Sequence, residues 1–160
     1  MTTTRVTARL MTEADIPALV ALAQAPDIQK EFYTHSQPRD MPLDQRLKIL
    51  AEENHMGGFV FSYAFEKDGQ VVGYGSAHAT MNPIVGTRWI SYWMGEQHRG
   101  QGLCREAMQQ VMSDMRIRRP QAIFRTAAAP ENTASIKILE RLGFMLVPDS
   151  NPYRPEFVHP

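Results

Sequence analysis

Gln97-His98-Arg99-Gly100-Gln101-Gly102 stands between Trp89-Ile90-Ser91-Tyr92-Trp93-Met94, which reads as a strand, and Leu103 to Met115, which reads as a helix. A strand, a glycine turn and a helix in that order form a natural seat for an anion. Two glycines separated by one residue let the backbone reverse tightly and bring several N–H groups toward one point. The helix N-terminus adds roughly half a positive charge there. Short strand-to-helix connections also use glycine for conformational reasons alone, so the spacing by itself leaves a plain turn and an anion site equally open.

Two other phosphate loops are excluded. A Walker loop ends in Gly-Lys-Ser/Thr, and the chain contains no Gly-Lys pair. The dinucleotide fingerprint needs a third small residue where Arg105 stands. It also belongs to an opening strand-turn-helix unit, whereas this turn comes late in the chain.

The length of 160 residues fits one domain, taken as 1–160, with a substantial core. Seventeen basic and seventeen acidic residues cancel, so no global charge draws the chain to nucleic acid. Arg116-Ile117-Arg118-Arg119, ahead of Pro120, reads as the charged C-terminal end of a helix rather than a nucleic-acid patch. The single cysteine, Cys104, can form neither an internal disulfide nor a zinc knuckle. Directly after the glycine turn it is either a thiol with a lowered pKa or a small buried helix residue, and the absence of a histidine or acidic neighbour favours burial. Met1-Thr2-Thr3-Thr4-Arg5 lacks an apolar signal segment, and no apolar run approaches spanning length. A soluble cytoplasmic protein is expected, with no metal, membrane or nucleic-acid partner.

Outward from the loop, alternation and helical spacing assign the remaining elements. Val6 to Leu10 reads as a strand, and Thr12-Glu13-Ala14-Asp15 as a helix start with Ile16, Leu19, Val20 and Leu22 on its apolar stripe. Pro26 to Pro42 is irregular, and Leu43 to Glu53 is a second helix. Phe59 to Phe65 and Val71 to Thr80 flank Lys67-Asp68-Gly69-Gln70, a hairpin pattern, and a turn around Asn82-Pro83 and Gly86 leads to Trp89. Leu103, Ala107, Met108, Val111, Met112 and Met115 form one helix face. Ala122 to Ala127 is a strand, Glu131 to Leu142 a helix stopped by Gly143, Phe144 to Val147 a strand, and Phe157-Val158 a last short one. This is an α/β chain: a mixed sheet with helices on both faces. The strands flanking the Leu103 helix should be parallel neighbours joined by a right-handed crossover.

At this point the chain resembles the GNAT superfamily of N-acetyltransferases, and most closely its Rim-type ribosomal-protein acetyltransferase branch. Gln97-x-x-Gly100-x-Gly102 is similar to the family's acetyl-CoA diphosphate motif and stands between the expected strand and helix. Asn132-Thr133-Ala134-Ser135, leading into Ile138-Leu139-Glu140-Arg141-Leu142-Gly143-Phe144, resembles the family's Asn-x-x-Ser segment with its Leu-Gly-Phe ending. Ala8-Arg9-Leu10-Met11-Thr12-Glu13-Ala14-Asp15 is similar to the usual family start.

The resemblance implies a GNAT-like fold of about six to seven strands and about four helices, with splayed parallel central strands. It implies acetyl-CoA as cosubstrate and direct transfer of the acetyl group to a primary amine. The diphosphate would be held by backbone N–H groups from Arg99 through Gly100, Gln101 and Gly102 to Leu103, with Arg99 adding charge, and Gln97 and His98 of the same motif would also belong to the cofactor site. The pantetheine arm would lie along Trp93 and Met94, with the Met94 N–H as oxyanion donor. Asn132 either contacts the pantetheine or caps its helix. Ser135, which the Rim-type branch uses to protonate the leaving thiolate, is the candidate acid, with a local backbone bond as its ordinary alternative. The base stays open among Glu96, His78 and a water chain. Phe32, Tyr33, His35 and Tyr92 could line an acceptor pocket or simply pack. The acceptor is a protein N-terminus or a small-molecule amine, and a homodimer fits such a fold. A CoA-binding sensory module without turnover is the alternative reading.

Overall fold

Alternation along the hairpin organises the molecule. In the computed structural model, which describes residues 4–29, 41–57, 59–79 and 86–160, the strands are β1 (Thr7–Leu10), β2 (Val60–Lys67), β3 (Gln70–Ala79), β4 (Thr87–Met94), β5 (Ile123–Ala127), β6 (Met145–Leu146) and β7 (Glu156–His159). The α-helices with defined bounds are α1 (Ile16–Leu22), α2 (Leu43–Met56), α3 (Leu103–Arg118) and α4 (Thr133–Leu142). The strands form one seven-stranded mixed sheet in the order β1-β2-β3-β4-β5-β7-β6.

The β2–β3 turn is made by Asp68 and Gly69, with φ of 51° and 77°. Consecutive left-handed residues match the right-handed twist of a two-residue hairpin, and Asp-Gly is a sequence that tolerates them. The resulting register puts Ala64 opposite Tyr74 and Tyr74 opposite Trp93. That face packs under α1 and α2, with Leu19, Leu47, Ala51 and Tyr74 in its core. The opposite face carries Phe61, Tyr63 and Phe65 with Ile90 and Met94, and it packs under α3 and α4.

Buried polar anchors hold the helices on. The Asn54 amide on α2 donates to the Met11 and Ser62 carbonyls at 3.0 and 2.9 Å, and its oxygen accepts from the Ser62 N–H at 2.8 Å. On α3, Gln110 brackets β1 by accepting from the Ala8 N–H and donating to the Val6 carbonyl, both at 2.8 Å. Satisfying these backbone groups avoids the penalty of burying them unpaired.

β4 and β5 are parallel and joined through α3, as expected for a strand-helix-strand unit. Their pairing covers only Thr87, Arg88 and Trp89 against Ile123, Phe124 and Arg125. Beyond it the strands part, with the Thr126 hydroxyl donating to the Ile90 carbonyl at 2.9 Å. This is the splay of the central strands, and it opens the sheet between its two faces.

Several bounds shift from the sequence reading. α2 runs on to Met56 because Gly57, at φ 72°, supplies the left-handed cap. α4 begins at Thr133 rather than Glu131, since Asn132 caps it. Phe144 to Val147 contracts to the two residues of β6. The tail does form a strand: β7 lies between β5 and β6, antiparallel to both, although prolines precede it. The Asn82-Pro83 turn and Thr80 lie outside the described residues. Among the described residues, no helix is long and apolar enough to cross a membrane.

Candidate active site

A groove of about 1190 Å³ passes through the opening between β4 and β5. It is lined from both sides of β4: Ile90, Tyr92 and Met94 from the α3/α4 face, and Trp89, Ser91 and Trp93 from the other. At one end it takes in His98, Arg99, Gly100, Gly102 and Leu103 of the glycine loop.

The loop has the backbone that its glycines predict. Gly100 and Gly102 sit at φ 75° and 76°, in the left-handed region. Gly102 is the N-cap of α3, and no side chain caps that helix. The first-turn N–H groups are therefore left for another acceptor. A Cβ at Gly100 would meet nothing within 4 Å, so the loop is open there. Arg99 leans across it: its Nε donates to the Met94 carbonyl at 3.1 Å, and its Nη1 pairs with Asp27 at 2.7 Å.

The outer side of the loop is held by a residue that no motif singles out. The Arg5 guanidinium donates to the Gln101 carbonyl at 2.8 Å and pairs with Glu106 at 3.1 Å. These partners are about a hundred positions away along the chain, so no local pattern could have signalled them.

Asn132 and Ser135 come together as the Asn-x-x-Ser spacing predicts. The Asn132 side-chain oxygen accepts from the Ser135 N–H at 3.2 Å, so Asn132 caps α4 while also lining the groove. The Ser135 hydroxyl lies 2.7 Å from the Tyr92 hydroxyl. Tyr92, expected either to line a pocket or simply to pack, is thus the polar partner of Ser135. Burial pushes its phenol well above the ordinary value, which keeps it protonated.

His78 lines the groove from β3, where its register neighbours are Val60 and Trp89. Burial first, and the Arg88 guanidinium second, lower its pKa below 6.5, so the imidazole is neutral at pH 7. Glu96 is placed elsewhere. It is exposed in a short 3-10 turn, Glu96–His98, and with Gln97 it lines a separate depression beside α1. Residues two and three steps past a strand end need not keep the strand's facing, and the 3-10 turn rotates both side chains away. Gln101 is outside the groove lining as well, its side chain accepting from Lys67 at 3.4 Å.

Cys104 is 8% exposed against the groove, and burial pushes its thiol up to about 12. A buried thiol held protonated in this way fits the small buried helix residue rather than a reactive thiol. Phe32, Tyr33 and His35 lie outside the described residues. Among the described residues no group of His, Cys, Asp and Glu could hold a metal ion.

A family model described as an acetyltransferase (GNAT) domain matches residues 5–145. No curated protein matches the chain significantly. Among solved structures, a ribosomal-protein-S5-alanine acetyltransferase from Vibrio fischeri superposes with a TM-score of 0.79 at 15% identity, over 99% of this chain and 94% of that one. A ribosomal L7/L12 alpha-N-protein acetyltransferase, RimL, gives 0.74 at 22% identity, over 98% and 91%. An aminoglycoside acetyltransferase in complex with coenzyme A gives 0.74 at 19% identity, over 96% and 94%. At these identities the likeness is one of fold.

Proposed function

The chain belongs to the GNAT acetyltransferase family, and from that premise we propose an acetyl-CoA-dependent N-acetyltransferase that moves the acetyl group to a primary amine by direct attack. The observation that carries the reading is the groove through the parted strands, with the glycine loop at one end and the Tyr92–Ser135 pair on its wall. Similar folds include enzymes named for ribosomal proteins and for aminoglycosides, so the acceptor class at this level is simply an amine.

The residues suit the donor. The uncapped α3 N-terminus and Arg99 offer N–H groups and positive charge to a diphosphate. The side of β4 left by β5 beyond Trp89 suits the amides of the pantetheine arm, beside Trp93 and Met94. The donor supplies an activated carbonyl with a thiolate leaving group.

The chemistry divides between the two faces of the sheet. The amine nitrogen forms its bond to the carbonyl carbon, and the Met94 N–H serves the oxygen that gains charge. The C–S bond then breaks, and the thiolate takes a proton from the Ser135 hydroxyl, which Tyr92 re-supplies. An amine with a pKa of about 10 must arrive neutral or lose a proton before attack. His78, neutral and on the acceptor side, takes that proton through water. Glu96 has no part, because it faces the other depression.

Thiol release from acetyl-CoA in the presence of an amine panel tests the reading. Binding of acetyl-CoA without release to any amine would leave a sensory module instead, and absence of binding by the folded protein would remove the donor altogether. The lone cysteine suits a reducing cytoplasm. Two copies could pair along β6, the sheet edge, where Met145 and Leu146 are exposed, and sedimentation reads that directly.

A further inference from the structure

The point at which β4 and β5 part can be traced to one rung of their ladder. The Ile123 N–H donates to the Gly86 carbonyl at 3.0 Å, so Gly86, and after it Arg88 and Ile90, turn their backbone groups toward β5. On β5 the Ala128 N–H donates to the Pro155 carbonyl at 3.2 Å, on the β7 side. Ala127 therefore turns its own N–H the other way, toward β4, and it lines the groove. The next rung of the parallel ladder would run from the Ala127 N–H to the Ile90 carbonyl, extending the pairing to Ile90 and Thr126. Pairing stops short of them, at Trp89 and Arg125, and the Ile90 carbonyl accepts the Thr126 hydroxyl at 2.9 Å instead.

A bulge in either outer pairing would bend a strand away at this step, and neither pairing has one. β4 runs one to one against β3 from Arg88 to Met94, and β5 one to one against β7 from Phe124 to Ala127. The side chain at the parting is buried, with Thr126 only 5% exposed, and it lies two residues beyond Phe124 on the α3/α4 face. Its β-branched form restricts the directions in which the hydroxyl can point.

Resting on the acetyl-transfer reading above, we propose that Thr126 is a positioning residue for the pantetheine arm of the donor: its hydroxyl stands in for the missing rung and so holds open the gap the arm enters. A buried carbonyl left without a donor is costly, so the Ile90 oxygen takes one partner or another. With the hydroxyl in place the carbonyl is satisfied, and nothing drives the ladder to close. Without it, the Ala127 N–H is the replacement that the register supplies. Making that rung draws β5 to ordinary ladder spacing, about 4.8 Å from β4, whereas an extended arm lying between the two edges needs about twice that.

Amide exchange followed by NMR on the protein without ligand reads the gap directly. Thr126→Val keeps the side-chain shape and removes the hydroxyl, and the Ala127 N–H should then exchange at least ~10-fold more slowly than in wild type as the rung forms. The Ala128 N–H, already bonded to the Pro155 carbonyl, is the internal reference and should not change. On the donor side, calorimetry should show the Kd for acetyl-CoA rising at least ~10-fold in Thr126→Val. The Kd for 3′-phosphoadenosine 5′-diphosphate, which has the diphosphate but no arm, should hold. Thr126→Ser keeps the hydroxyl and should stay near wild type in both measurements, and Thr126→Ala repeats them should the valine chain not fold. Unchanged exchange at Ala127, or a parallel change at Ala127 and Ala128, overturns the proposal. So does equal weakening of both ligands, or an acetyl-CoA affinity indifferent to the hydroxyl. If the folded wild type binds no acetyl-CoA, the transfer reading fails on its own, and the exchange comparison still decides whether Thr126 holds the strands apart.

Discussion

At the scale of single residues, the Tyr92–Ser135 hydrogen bond is the feature on which the proposed chemistry turns. If Ser135 protonates the thiolate as proposed, Ser135→Ala should lower kcat by about 10²-fold, the lower range for a lost general acid. Tyr92→Phe removes the re-supply but keeps the serine, so its loss should be smaller, about tenfold, with acetyl-CoA affinity unchanged by calorimetry in both. Equal losses in kcat and in CoA affinity would instead mark both as binding groups. His78 gives a prediction in pH. Its proton is bound more weakly in the folded chain than in the unfolded one, because burial and then Arg88 disfavour the imidazolium. The unfolded state therefore takes up the proton first as pH falls through about 6.5, and stability drops below that point. His78→Gln should flatten this part of the curve relative to wild type when denaturant midpoints are compared from pH 7 down to about pH 5. A parallel slope in the variant would assign the effect to other groups.

At the scale of elements, the glycines separate folding from binding. Gly100 and Gly102 share a left-handed backbone, but only Gly100 opens onto empty space. Gly100→Asp should leave the fold standing at a cost of about 1–2 kcal/mol, and abolish acetyl-CoA binding by placing a carboxylate where the diphosphate belongs. Gly100→Asn, a residue that tolerates the left-handed region, separates strain from charge: it should retain measurable binding where Asp does not. Gly75 is of another kind, for a Cβ there would lie 2.6 Å from the Phe65 ring. Gly75→Ala should destabilise by about 1–3 kcal/mol through overpacking, seen in chemical denaturation, without a specific loss of donor affinity. The contrast also shows what the sequence could convey. The loop glycines, the Asp68-Gly69 turn and the Asn132 cap act through neighbours a few positions away, so pattern alone located them. The same locality limits what pattern says of Glu96, since its position beside β4 carries nothing of the turn that rotates it outward. Arg5 on Gln101, Asn54 on Ser62 and Tyr92 on Ser135 are pairings across the fold, and only three-dimensional structure brings them together.

At the scale of the whole molecule, the ion pair between Arg99 and Asp27 joins the donor loop to the segment beyond α1. Asp27 takes one N–H from each terminal nitrogen of Arg99 and neutralises its charge, so a diphosphate bound as proposed would compete with this link. The pair is substantially exposed, at 38% and 62% for the two side chains, and exposed pairs contribute little. The competition is therefore mild and readily reversed. Asp27→Asn removes the competitor while keeping the shape of the side chain, and acetyl-CoA should bind about two- to fivefold more tightly, the range expected from an exposed pair. Arg99→Gln should weaken binding, and in that background Asp27→Asn should have no further effect, because the two act through one interaction. Isothermal titration of the four proteins at low and high salt provides the full cycle. The Asp27→Asn gain should shrink as salt screens the pair. A gain that persists in the Arg99→Gln background would show that Asp27 acts on the donor through the general field of the groove rather than through Arg99.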